Sequence, residues 1–158
     1  MKRFEIILGI GVLVALFFKV LHFPGGSLLL TITLMGLACI YLFWGFALFN
    51  NVSDENAFNK SAYSGISTQQ IMFSIVAALA LSAVCIGILF KIQHWPGAVV
   101  ILLSGLIAVF VVGIIALIKY LGSKSDFYKM ILLRIAIIGV VGLFCFFAKI
   151  FCTFNKVY

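Results

Sequence analysis

Charge is scarce in this sequence. Of its 158 residues 9% are charged and only four are acidic, against about a quarter charged in soluble globular domains. A chain so poor in charge cannot clothe an aqueous surface, and no polar stretch exceeds about twenty residues, too few for a water-soluble core of its own. Thiols are few as well. Cys39, Cys85, Cys145 and Cys152 lie within or at the edge of apolar runs without a CxxC spacing, which reads as buried thiols and speaks against a disulfide framework or a metal site. No nucleophile stands beside a base, no metal-ligand spacing occurs, and no glycine-rich phosphate loop is present. The sequence therefore argues against an enzyme and implies no cofactor.

What fills the chain instead is apolar: 65% of residues are hydrophobic. A helix needs about 20 residues, rising about 1.5 Å each, to cross a hydrocarbon layer of about 30 Å. Five segments meet that length, at roughly 4–23, 27–49, 69–92, 97–121 and 129–151. The expectation is an all-α, polytopic membrane protein forming one membrane domain over residues 1–158. Lys2 and Arg3 imitate the opening of a signal peptide, but no small-residue cleavage site follows, so the first run is read as a retained helix. The net charge of +7 would suit nucleic acid if the basic side chains shared one polar face. They stand at the ends of apolar runs, as membrane anchors do, which excludes nucleic acid and names the lipid bilayer as partner.

Both prolines belong to one repeated motif. Phe18-Lys19-Val20-Leu21-His22-Phe23-Pro24-Gly25 returns 72 residues later as Phe90-Lys91-Ile92-Gln93-His94-Trp95-Pro96-Gly97. Each copy lies between two apolar runs, so the chain reads as two helical hairpins, about 4–49 and about 69–121, followed by an extra helix at about 129–151. Proline fixes φ near −65° and glycine accepts a positive φ, a pair that reverses the chain in few residues. Lys19 and Lys91 fall in the last helical turn, where a cation meets the negative end of the helix dipole and can snorkel to the headgroups. His22 and His94 follow by three residues, so each projects from nearly the same face as its lysine. With Phe23 and Trp95 they form either an interfacial belt or a proton-relay or docking face; the belt is the better fit to residues of this type at a membrane edge.

Small residues keep the same register, Gly11 and Ala15 in the first repeat matching Ala83 and Gly87 in the second. Small-x-x-x-small spacing lets helices approach closely in lipid, so these faces are expected to meet other helices. Between the repeats, residues 50–68 are polar, with Ser67 and Gln70 spaced as a capping box; Asp54 and Glu55 lack the alternating ligands of a calcium loop. Ser125 or Asp126 is suited to cap the last helix. Arg134, about one turn into that helix, reads as a snorkelling anchor. Lys2, Arg3, Lys60, Lys119, Lys124 and Lys129 fall on one side of the membrane and Lys19, Lys91, Lys149 and Lys156 on the other, a bias that favours a cytoplasmic N-terminus and parallel repeats.

The Phe-Lys-x-x-His-aromatic-Pro-Gly motif, set between two apolar helices, resembles the membrane domain of the L subunit of the gliding-motility and type IX secretion motor of Bacteroidota, over about 5–49 and again over about 71–121. The resemblance implies helix pairs that assemble as a ring around a partner's helices in the bacterial inner membrane, with a glutamate in the second helix implicated in use of the proton gradient. At the corresponding depth this chain has Met35-Gly36-Leu37-Ala38 and Ile107-Ala108-Val109-Phe110. Neither second helix holds a carboxylate, and a further helix replaces the family's cytoplasmic tail. The expectation is a non-enzymatic assembly or scaffold component working with a membrane-protein partner or as a homo-oligomer. The alternative is a small transporter or proton channel, which would require polar groups inside the membrane. Thr31, Thr33, Ser82 and Ser104 are what helices two to four offer, and such hydroxyls bond to their own helix or a neighbour.

Overall fold

The computed structural model describes residues 2–57 and 59–154, with side chains other than those of Val20, Asp54, Lys60 and 148–154. Five long helices follow one another: α1 Lys2–Val20, α2 Gly26–Phe49, α3 Thr68–Gln93, α4 Ala98–Ser123 and α5 Asp126–Phe154. The protein is all-α among the described residues. Four of the helices, α2 to α5, are long and apolar enough to cross a membrane, which makes the chain a candidate multi-pass membrane protein. α1, the fifth crossing expected, is not among these four. It ends at Val20 and carries Lys2, Arg3, Glu5 and Lys19, so its uninterrupted apolar run, Ile6 to Phe18, is about 20 Å long at 1.5 Å per residue, and a crossing requires its charged ends to snorkel to the headgroups. The chain divides into two compact units, Met1–Ser82 and Ala83–Tyr158, with the boundary inside α3.

In the first unit α1 and α2 form an antiparallel hairpin. Side chains were kept small where the helices meet: a methyl on Gly11 would stand 2.8 Å from Thr33 Cγ2, and one on Gly26 would stand 2.9 Å from the Lys19 nitrogen. The beginning of α3 then packs on α2 through three successive contacts. Ser82 Oγ donates to the Ala38 carbonyl at 3.0 Å, Gly45 lies against Ala78, and Asn50 Nδ2 donates to Ser74 Oγ at 3.0 Å. Within α2, residues Ile40–Trp44 form a π-helical turn, the widened turn that frees backbone groups and is frequent at functional sites. The carbonyl that takes the Ser82 hydroxyl lies just ahead of it.

The segment between α2 and α3 is short of regular structure but not loose. Two 3₁₀ turns, Asp54–Asn56 and Lys60–Tyr63, fold it back. The Tyr63 hydroxyl donates to the Ala57 carbonyl at 2.7 Å and its ring lies 6.0 Å from that of Phe46. Burial pushes the Tyr63 phenol above its ordinary value.

In the second unit the end of α3 and the beginning of α4 pack nearly backbone to backbone. A methyl on Gly87 would come within 2.6 Å of the Leu102 Cα, and one on Gly105 within 2.9 Å of the Val84 nitrogen. Helix α5 lies along α4, with Gly139 facing Val109 and Gly142 facing Leu106. Ser125 begins it, its hydroxyl accepting from the Phe127 N–H at 3.4 Å, as an N-cap does. Thr31, Thr33 and Ser104 donate to carbonyls three or four residues back in their own helices. Ser82 is the exception, having spent its hydroxyl on a neighbour.

Candidate functional site

The two copies of the repeated motif fold into the same helix end, bond for bond. In the first, the His22 N–H reaches the Lys19 carbonyl at 3.1 Å and the Phe23 N–H reaches the Phe18 carbonyl at 3.0 Å. In the second, the His94 N–H reaches Lys91 at 3.4 Å and the Trp95 N–H reaches Phe90 at 3.0 Å. This pair of bonds is the Schellman ending, which requires a left-handed residue just past the helix and is often clasped by an apolar contact between its outer members. Both requirements are met. His22 and His94 have φ of 57° and 58°, and the ring centroids of Phe18 and Phe23 lie 5.7 Å apart, those of Phe90 and Trp95 4.9 Å apart. Pro24 and Pro96 follow and bar any continuation of the helix. Gly25 and Gly97, at φ 89° and 78°, then cap α2 and α4.

This corrects one step of the sequence reading. Lys-x-x-His spacing places both side chains on one helical face only if the helix runs through the histidine, and it stops before it. Histidine is among the few non-glycine residue types that adopt the left-handed region with any frequency, yet the conformation still costs about 1–2 kcal/mol relative to glycine. In both copies the imidazole is exposed. In the second copy Lys91 and His94 nonetheless line one small cavity of about 330 Å³ together with Trp95 and the start of α4. The Lys91 ammonium stands 5.4 Å from the centroid of the Phe146 ring, within the range of a cation–π contact.

The packing residues occupy helix contacts. Ala15 is fully buried, Gly11 faces Thr33, Gly87 faces Leu102, and Ala83 lies beside the Gly105 contact. Cys85 is buried, Cys39 and Cys145 are half-buried, and all three are free thiols; Cys152, Lys149 and Lys156 lie outside the described side chains. Arg134 is half-buried and its guanidinium donates to the Met130 carbonyl at 3.4 Å. Among the described residues no three His, Cys, Asp or Glu side chains gather as a metal would require.

One polar pair escapes the sequence reading altogether. The Tyr41 hydroxyl, in the π-helical turn and 2% exposed, donates to Glu5 Oε1 at 2.7 Å. The carboxylate that the resemblance places in the second helix of a hairpin is absent there, but here a carboxylate from the first helix reaches the second through a tyrosine. A reflection of the sequence about Phe23 would have found it, since Glu5 and Tyr41 lie 18 residues to either side. No family model, no curated protein and no solved structure matches the chain.

Proposed function

We propose that the protein is a non-enzymatic scaffold of a bacterial cytoplasmic membrane, in which two copies of one rigid hairpin end hold apolar helices for assembly with a membrane-protein partner or a second copy. The observation that carries this reading is the twice-repeated Schellman end with its aromatic clasp. It fixes how each helix pair turns while leaving wide apolar faces for neighbours, among them Leu28, Ile32, Phe110 and Phe144. The resemblance to the L subunit of the gliding and type IX secretion motor supports the same class of role. The missing carboxylates near Leu37 and Val109 separate this chain from the energy-transducing step.

The test is purification from native membranes in mild detergent, followed by native mass spectrometry. A stoichiometric complex, with itself or with another membrane protein, is expected; a lone monomer across mild detergents contradicts the reading. The orientation that goes with it has the N-terminus and the 50–68 segment cytoplasmic and both Pro-Gly turns outside. Cysteines introduced at Ser27 and Ser64 should then label from opposite sides.

A second reading, a proton channel, draws on the Glu5–Tyr41 pair. Proteoliposomes with an imposed pH difference decide between the two. The scaffold leaks no faster than empty vesicles, whereas a proton current abolished by Glu5→Gln would place the channel first.

A further inference from the structure

Between α4 and α5, within the second unit, runs a groove of about 480 Å³ whose lining is apolar throughout. Its walls are Leu103, Ile107 and Phe110 on one helix and Ile135, Val140 and Phe147 on the other, with Ala136 and Gly139 leaving the space between them. From Leu103 to Phe110 it descends about 10 Å at 1.5 Å per residue, which lies within a single leaflet of a layer about 30 Å thick. Its walls are largely exposed, Phe110 and Val140 among them, so the groove is an open recess that its surroundings fill. Both helices are candidate membrane spans, so the groove opens to acyl chains.

One end of the groove is not neutral. Phe146 lines the apolar cavity, and the Lys91 ammonium stands over the Phe146 ring. Lys91 also lines the smaller cavity it shares with His94 and Trp95 at the hairpin tip. One cation thus joins a polar recess at the membrane edge to an apolar slot beneath it. A zwitterionic lipid would fill the slot but bring its own cation to the recess along with its phosphate, so that Lys91 gains little; an inorganic anion would use the cation and leave the slot empty. We propose that this joint site holds an anionic glycerophospholipid, its phosphate beside Lys91 and one acyl chain in the α4–α5 groove. A cation–π contact leaves the ammonium's remaining donors available to phosphate oxygens, and Trp95 is of the type that settles at headgroup depth. The cation–π contact and both cavities that make up this site lie in the second hairpin and α5, so the site is assigned to that repeat.

The full-length protein with Trp44→Phe keeps Trp95 as its single tryptophan and is reconstituted in phosphatidylcholine vesicles carrying a fixed fraction of acyl-brominated phosphatidylglycerol or acyl-brominated phosphatidylcholine. Quenching of Trp95 is expected to give the anionic lipid a relative binding constant about five-fold that of the neutral one, the size expected for one basic side chain. Lys91→Gln should bring the ratio to about one while Lys19→Gln leaves it unchanged. Ala136→Leu, which fills the slot from its exposed side, should lower quenching by either brominated lipid. An equal affinity for both lipids overturns the proposal. So does a preference that survives Lys91→Gln, that falls equally with Lys19→Gln, or that is lost with Arg134→Gln instead. Displacement of the preference by the soluble headgroup glycerophosphoglycerol, or indifference to Ala136→Leu, removes the acyl chain from the site and overturns it likewise.

Discussion

The two hairpins share a turn and differ in how their helices touch. Matched at 72 residues, Gly11 and Thr33 of the first correspond to Ala83 and Gly105 of the second. The contact is the same in register, but the small partner has changed sides: the first helix gives way at Gly11, the second at Gly105. One turn closer to the tip, Ala15 corresponds to Gly87. Ala15 carries its methyl in full burial, whereas a methyl on Gly87 would strike the Leu102 backbone. The second hairpin is therefore the tighter at that level. A local motif sets the reversal of the chain, and a separate choice of small residues sets the distance between the helices it joins.

The largest effect should come from that distance. Gly87→Ala must push α3 and α4 apart against backbone atoms and should destabilise by about 3 kcal/mol, read as a shifted midpoint in denaturing-detergent titrations followed by circular dichroism. Ala15→Gly, at the matching position, should lose only about 1 kcal/mol of helix preference. Equal losses would erase the distinction between the two interfaces.

Next is the polar pair that only the first hairpin has. Tyr41→Phe leaves Glu5 without its hydroxyl partner and should cost about 1–3 kcal/mol. The matching positions in the second repeat are Ala77 and Gly113, and Gly113→Ala, whose methyl would meet Ile135 at an ordinary 3.5 Å, should be neutral or slightly stabilising by the same titration. A silent Tyr41→Phe would make the pair incidental to the fold.

What the hairpins share should respond alike. His22→Gly and His94→Gly each relieve a left-handed backbone and should stabilise by about 1 kcal/mol. A loss in either shows that its imidazole makes a contact worth more than the strain, and a difference between the two locates the function in one tip.

The smallest effect concerns the 50–67 segment. The folded state holds the Tyr63 proton more tightly than the unfolded state, so its contribution is intact below the ordinary tyrosine value of about 10 and fades as pH rises through the folded value. Limited proteolysis of that segment should accelerate in alkali in the wild type. Tyr63→Phe should lack the alkaline step.

Much of this architecture is written locally. The apolar runs, the two turns and the positive φ of Gly25 and Gly97 follow from residue types within a few positions of each other. The left-handed histidines were hidden because a three-residue spacing presupposes an unbroken helix. The five-residue spacing of Phe18 with Phe23 and of Phe90 with Trp95 carried the better clue, being the clasp of a Schellman end. α1 is the least plainly written of the five apolar runs, because Arg3, Glu5 and Lys19 leave a short apolar centre between charged ends. The Glu5–Tyr41 pair spans 36 positions and depends on a π-helical turn that no periodicity announces. Long-range partners become legible only once the turn has said where the chain folds.

That π-helical turn has a further meaning for α2. Each added residue advances an α-helix by about 100°, so a single surplus residue wound into Ile40–Trp44 works as a phase shifter between two stretches of one rod. Ahead of it, Leu30, Thr33, Leu34 and Leu37 are turned inward; behind it, Ala47, Leu48 and Phe49 are. Removing one of the outward-facing residues there, Leu42 or Phe43, would let the rod wind evenly, at the expense of rotating Gly45 away from Ala78. The helix is cut to two neighbours at once, and the extra residue is the gear between them.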